Sequence, residues 1–268
     1  MSTVRLRGVT LYYDYQTQAS PRGTIVLLNG VMASASSWKL YAEYFYKRGY
    51  NILMHDFRGQ LLSDKPEGPY SFETHAMDTF ALLKTLKIDK AHLIGTSYGG
   101  EVAMKMAAMD ASVIASISVI NSVSELDDSL IDKVKRWKTL AASYDAETFM
   151  RGMSKDIYSD DFLKANQSMI DKRIEAMQAL DSSYFDGQIT LYDTFLEDVT
   201  MTDELKNINV PTLVVSGEND TLKPPKFSRL ITSAIEDAVH VMLPGSGHVS
   251  IFEKPSELKL ILVGFLES

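Results

Sequence analysis

Ala91-His92-Leu93-Ile94-Gly95-Thr96-Ser97-Tyr98-Gly99 is the stretch on which the reading of this chain turns. An apolar run leads into Gly-x-Ser-x-Gly, and helix-forming residues follow from Glu101 to Met109. A strand, a sharp turn and a helix in that order are the layout of a nucleophile elbow. A side chain at Gly95 or Gly99 would collide with neighbouring backbone in so tight a turn. The strain holds the Ser97 hydroxyl out where a substrate can reach it. Taken alone, the pentapeptide also fits an ordinary strand-to-helix loop with a capping serine. The strand before it and the helix after it favour the elbow.

Working outward, Thr24-Ile-Val-Leu-Leu-Asn29, Asn51-Ile-Leu-Met-His55, Ile114 to Ile120, Pro211 to Ser216 and Val239 to Leu243 read as strands. Several are continuous apolar runs, the pattern of strands buried on both faces. Val4 to Tyr15 alternates, with a break near Gly8, and predicts an opening hairpin. Helical spacing marks Trp38 to Arg48, Ser71 to Leu86, Pro225 to Ile235 and Ser256 to Leu266. Strands alternating with helices predict a parallel sheet covered on both faces.

One stretch breaks the rhythm. From Ser122 to Asn207 no strand pattern occurs, and four helices are expected near 125–143, 146–157, 160–179 and 183–196. This is too long for a loop. We read residues 122–207 as a helical cap inserted into a core domain of residues 1–121 and 208–268. The cap is rich in Met, Phe and Tyr and holds Trp137. Most of these side chains are expected to pack the cap, and a minority to line an apolar cleft with flexible methionine walls.

Bulk properties exclude several function classes. The 268 residues carry a net charge of −8, so no basic surplus exists to pair with nucleic-acid phosphates. Cysteine is absent, which removes disulfides, thiolate metal sites and cysteine nucleophiles. No apolar run has the length of a membrane span, and the N-terminal residues lack a signal-peptide core. A cytoplasmic location is the simplest expectation. Neither cofactor nor metal is called for. The composition leaves the oligomeric state open.

Ser97 needs a base, and there are five histidines to consider. His92 lies inside a strand, His75 inside a helix, and His240 begins a strand. His55 ends a strand on the sheet edge that carries the elbow. His248 follows the last strand in the glycine-rich run Leu243-Pro-Gly-Ser-Gly-His248, at the carboxyl edge where open α/β sheets place their sites. It is the favoured base. An acid must orient the imidazole. Asp220, in Gly217-Glu-Asn-Asp220, stands first, and Glu218 remains its competitor. The amide of Tyr98 is one expected donor to an oxyanion. The other is Val31 N–H, in Asn29-Gly30-Val31-Met32, where Gly30 lets the backbone turn.

At this point the chain resembles the α/β-hydrolase superfamily over essentially its whole length. The resemblance rests on Leu28-Asn-Gly30, Asp56-Phe-Arg-Gly59 with Ser63-Asp64, Gly95-Thr-Ser-Tyr-Gly-Gly100, Gly217-Glu-Asn-Asp220 with Pro224, and Gly245-Ser-Gly-His248 with Glu253 and Pro255. It implies a mostly parallel eight-stranded sheet with a helical cap. It also implies a Ser97–Asp220–His248 triad and an oxyanion hole from Val31 and Tyr98. The branch it looks most like holds capped esterases, enol-lactonases and cofactor-free perhydrolases. Two departures stand out. Asn29 replaces the usual histidine of the oxyanion loop, and Leu62 is read at the second glycine of Asp-x-Arg-Gly-x-Gly-x-Ser, where it would narrow a pocket wall. The expected function is cleavage of a small to medium, largely apolar carboxylic ester or lactone. Perhydrolysis or a hydroxynitrile-lyase-type reaction on the same residues is the alternative. A non-catalytic binding or signalling protein on the same fold is a third possibility.

Overall fold

The structure is a computed structural model and describes Ser2 to Ser268; Met1 of the N-terminal reading lies outside the described residues. An antiparallel hairpin of β1 (Ser2–Leu6) and β2 (Val9–Gln16) opens the chain, turning at Arg7-Gly8 with both residues at positive φ. There follow β3 (Thr24–Leu28), α1 (Lys39–Tyr46), β4 (Asn51–His55), α2 (Phe72–Thr85), β5 (Ala91–Thr96), α3 (Tyr98–Met109) and β6 (Ile114–Ile120). Five helices come next without an intervening strand. They are α4 (Asp128–Ala141), α5 (Ala146–Ile157), α6 (Asp160–Ala165), α7 (Gln167–Gln178) and α8 (Ser183–Asp198). The chain then returns to the sheet as β7 (Thr212–Gly217), α9 (Pro225–Ala234) and β8 (Ala238–Leu243). It closes with α10 (Ser250–Glu253) and α11 (Pro255–Leu266).

The eight strands form one sheet in the order β1-β2-β4-β3-β5-β6-β7-β8, antiparallel at the β1–β2 and β2–β4 pairs and parallel elsewhere. Every residue of β3, β4 and β7 is buried. Alternate side chains explain how. Val26 and Leu28 of β3 pack on the side of α2 and α3, and Ile25 and Leu27 pack on the side of α1 and α11. A fully buried Leu or Ile contributes about 2 kcal/mol of apolar burial, so the central positions of these strands are apolar, with polar residues such as Asn51, His55 and Ser216 confined to their ends. The expected β8 is an edge strand instead, and Val239 and Met242 stand exposed.

The insertion differs from expectation in one place. The single helix expected over 160–179 is two, broken at Asn166. There the Asn166 side-chain amide donates to the Phe162 carbonyl at 2.9 Å, taking a bond that belongs to the helix backbone.

At the centre of the sheet, β5 runs into α3 through Ser97, whose φ of 52° is in the left-handed region disfavoured for a side chain. The glycines around it have no room to be anything else. A Cβ on Gly99 would lie 2.2 Å from the Leu28 carbonyl oxygen, and one on Gly95 would lie 2.2 Å from the Gly99 oxygen. Both obstacles are backbone and cannot swing away. Gly99→Ala is therefore expected to lower stability by about 3 kcal/mol or more. Gly264→Ala, on α11 with nothing within 4 Å of the added carbon, should be neutral or stabilising by up to about 1 kcal/mol. Denaturant midpoints of the two variants check the pair; equal midpoints would contradict it.

Candidate active site

Three loops at the carboxyl edge of the sheet bring the expected residues together. Ser97 follows β5, Asp220 follows β7, and His248 follows β8. The His248 Nε2 lies 3.0 Å from Ser97 Oγ, and its Nδ1 lies 2.8 Å from Asp220 Oδ2. An ionised carboxylate only accepts, so Nδ1 carries the proton toward Asp220 and leaves Nε2 as the acceptor facing the serine. Asp220 Oδ2 also accepts from Asn121 Nδ2 at 2.9 Å, and its Oδ1 accepts from the Leu222 and Lys223 amides. Glu218, the competing acid, turns outward and accepts from the Gly245 amide.

The loop after β3, expected to supply an oxyanion donor, lies against Ser97. A Cβ on Gly30 would sit 3.5 Å from Ser97 Cβ. Tyr98 is the first residue of α3, so its amide has no acceptor within the helix. Among the described residues the Val31 amide also finds no hydrogen-bond acceptor. Asn29 is buried in the position expected for a histidine and anchors this loop. Its Nδ2 donates to the His55 carbonyl at 2.8 Å and to Gln60 Oε1 at 3.1 Å. Gln60 completes the brace by donating to the Gly30 carbonyl at 2.8 Å. The Tyr98 ring points the other way. It is buried on Phe72, and its hydroxyl pairs with His75 Nε2 at 2.9 Å.

A cavity of about 370 Å³ opens over Ser97 and His248. Its far wall is the insertion, through Trp137, Met150, Met153, Tyr158, Met177 and Tyr184. The expected apolar, methionine-rich wall is present, with one addition. Arg173 lines the cavity too, its guanidinium 4.5 Å from the Phe252 ring centroid. Leu62 does not hold the second glycine position expected for it. Counting from Asp56 places Leu61 at the second glycine position, and Leu61 lines the cavity, whereas Leu62 is 56% exposed.

The insertion is tied to the histidine loop. The Val249 amide donates to the Ile157 carbonyl at 3.1 Å. Glu253 accepts from the Gly247 amide at 3.0 Å and from the Ser159 hydroxyl at 2.6 Å. Gly247 has no room for a side chain, since a Cβ there would lie 2.5 Å from the Ser159 nitrogen.

Four polar residues near the centre were not singled out by the motifs: Gln60, Asn121, Glu101 and Lys223. Asn121 could have been found from its place at the end of β6, beside the acid-bearing strand. Glu101 lies one helical turn past Ser97, where an ionisable group in an otherwise apolar helix start is the available signal. Lys223 contacts Ser97 Oγ at 3.2 Å and Glu101 Oε1 at 2.8 Å. Nothing in its local sequence announces that reach.

The sequence profile of the alpha/beta hydrolase fold family matches residues 23–255. The chain therefore belongs to the alpha/beta hydrolase family. It is similar to MGS-M2, an alpha/beta hydrolase enzyme from a Medee basin deep-sea metagenome library, with a TM-score of 0.93 at 28% identity over 100% of this chain and 98% of that one. The enol-lactonase from Burkholderia xenovorans LB400 shares the fold with a TM-score of 0.86 at 24% identity, each chain fully covered. A non-heme chloroperoxidase of Streptomyces lividans is 25% identical over 91% of both chains. Among the described residues, no helix is long and apolar enough to cross a membrane.

The remaining histidines have partners of their own. His92 Nδ1 pairs with Ser116 Oγ, and His240 Nε2 with Ser216 Oγ, both at 2.8 Å. His55 lies 3.3 Å from Thr79 Oγ1, fully enclosed, and burial pushes it down to about 4. Burial, with help from the Arg58 charge, pushes His75 down to about 3. An unfolded histidine titrates near 6.5, so both imidazoles take up protons more readily when unfolded. Their contribution is intact above about pH 6.5 and is lost as the pH falls toward 4 and then 3. The two shifts are worth on the order of 3 to 5 kcal/mol each. The urea midpoint is expected to fall between pH 7 and 4.5, and His75→Gln should flatten that slope; a pH-independent midpoint would contradict this.

Proposed function

We propose that the protein is a serine hydrolase of carboxylic esters or lactones, with Ser97 as nucleophile, His248 as base and Asp220 as its orienting acid. The single observation that carries this reading is the hydrogen-bonded chain from Asp220 Oδ2 through the imidazole to Ser97 Oγ, open to the cavity. Ser97 Oγ attacks the substrate carbonyl carbon as its proton passes to Nε2. The carbonyl oxygen becomes negative and is received by the Val31 and Tyr98 amides. The imidazolium, stabilised by Asp220, then protonates the leaving oxygen. Water repeats the sequence on the acyl-enzyme and releases the acid.

The helices of residues 122–207 act in this reading as a cap that supplies most of the substrate contacts. A cavity of this size suits a small to medium acyl or alcohol portion. The methionine and aromatic wall favours apolar groups, and Arg173 offers one place for a polar end. A second reading, perhydrolysis, has support in the likeness to a non-heme chloroperoxidase. In that reaction hydrogen peroxide takes the place of water on the same acyl-enzyme and leaves with the acyl group as a peracid. A peroxide arm in the ester assay separates the two.

The deciding experiment is a panel of p-nitrophenyl esters and small lactones on the parent and Ser97→Ala, alongside labelling by a fluorophosphonate. Parent turnover with at least about a 10³-fold loss in the variant is expected. Equal turnover, or no labelling of the parent at Ser97, would overturn the reading. Gln60→Met removes the brace on the oxyanion loop. It should lower kcat by about 10²-fold, the order seen when one oxyanion donor is lost, with KM little changed. An unchanged kcat would separate the brace from the chemistry.

A further inference from the structure

Lys223 and Glu101 form a buried ion pair that the mechanism above does not use. Their side chains are 4% and 0% exposed, with Nζ 2.8 Å from Glu101 Oε1. Taking two charges out of water is costly, and packed apolar residues of similar volume are commonly as stabilising or more so. Stability alone therefore gives no reason for the pair. Its position does. Nζ also lies 3.2 Å from Ser97 Oγ, the atom that reacts.

The pair is fixed from several directions. Asp220 Oδ1 accepts from the Lys223 amide at 2.8 Å, so the carboxylate that faces His248 also sets the backbone from which Lys223 reaches. Glu101 shares α3 with the nucleophile, and its Oε1 also accepts from the Val123 amide at 2.9 Å. The Phe195 ring centroid lies 4.6 Å from Nζ, which places the cation against the face of an aromatic.

We propose that Lys223 is a catalytic residue: its ammonium donates to Ser97 Oγ, aims the hydroxyl proton at His248 and stabilises charge on Oγ during both attack and expulsion. This rests on Ser97 being the nucleophile. An ammonium has donors only, so Oγ accepts from it and its own proton is left for Nε2. In acylation the Oγ–carbon bond forms as that proton moves to Nε2. In deacylation water attacks the acyl carbon and gives a proton to Nε2. The Oγ–carbon bond then breaks, and Nε2 returns a proton to Oγ. Lys223 keeps all its protons throughout. Oγ is more negative in both transition states than in the resting hydroxyl, so a donor held on it strengthens where the barrier lies. Glu101 is a positioning residue. It holds the ammonium on Oγ and balances its charge when His248 becomes imidazolium.

The test compares the parent with Lys223→Met/Glu101→Gln, which removes both charges at similar volume. Lys223→Gln serves as a second variant that keeps a neutral donor. Circular dichroism and the denaturation midpoint report folding, and the affinity of a non-covalent product acid reports the cavity. The second-order rate of fluorophosphonate labelling at Ser97 and the pre-steady-state burst with a p-nitrophenyl ester report Oγ. The double variant is expected to fold and to bind the product acid within about twofold. Its labelling and deacylation should both slow by about 10- to 100-fold, the scale of one hydrogen bond to a charged group. Lys223→Gln should fall between the two. Parent and folded variants labelling at equal rates would overturn the role of Lys223 and leave Ser97 in place. A parent that does not label at Ser97 would overturn the role together with the hydrolase reading beneath it.

Discussion

The site is built on one close approach. The first turn of α3 lies against β3 and β5 at a distance that leaves no volume for a side chain at Gly95 or Gly99. That contact fixes where Ser97 stands and forces its backbone to positive φ. It also brings Gly30, in the loop after β3, against Ser97 Cβ. Ser97 and the loop after β3 are thereby set relative to each other by backbone packing, before any polar side chain is considered. Backbone is the stiffest material available for this purpose, and a misplacement of an ångström can cost a large factor in rate.

Around this centre the polar groups are shared rather than dedicated. Asp220 uses one oxygen for His248 and Asn121 and the other for the Leu222 and Lys223 amides. Asn29 and Gln60 brace the oxyanion loop with contacts that include His55 and Gly30 carbonyls. Replacing the family's usual histidine with Asn29 is compatible with this because a carboxamide supplies a donor that can reach several acceptors at once. Each polar side chain is enclosed, so its bonds act in a medium where they are stronger and where losing one costs more.

Most of the fold was legible in the chain because its cause is local. The both-faces-buried strands are apolar at their central positions, and Gly-x-Ser-x-Gly between strand and helix favours the elbow over an ordinary loop. Chain order and strand ends pointed to His248 and Asp220 for the same reason. The split at Asn166 was not legible, since a side chain capturing a backbone carbonyl leaves no mark on hydrophobic spacing. Lys223 was hidden differently. It reads as a surface lysine before two prolines, and only the fold, which brings the loop after β7 beside Glu101 of α3, turns it inward. The one-residue slip between Leu62 and Leu61 shows how a motif without its second glycine loses its register marker.

The ties among Ile157, Ser159, Gly247, Val249 and Glu253 give the roof and the base a common mounting. Lifting that part of the insertion away from the sheet either breaks these bonds or drags the histidine loop along. The place of the imidazole behind the Ser97 hydroxyl therefore depends on where residues 157–159 lie, because wall and histidine loop share one set of hydrogen bonds.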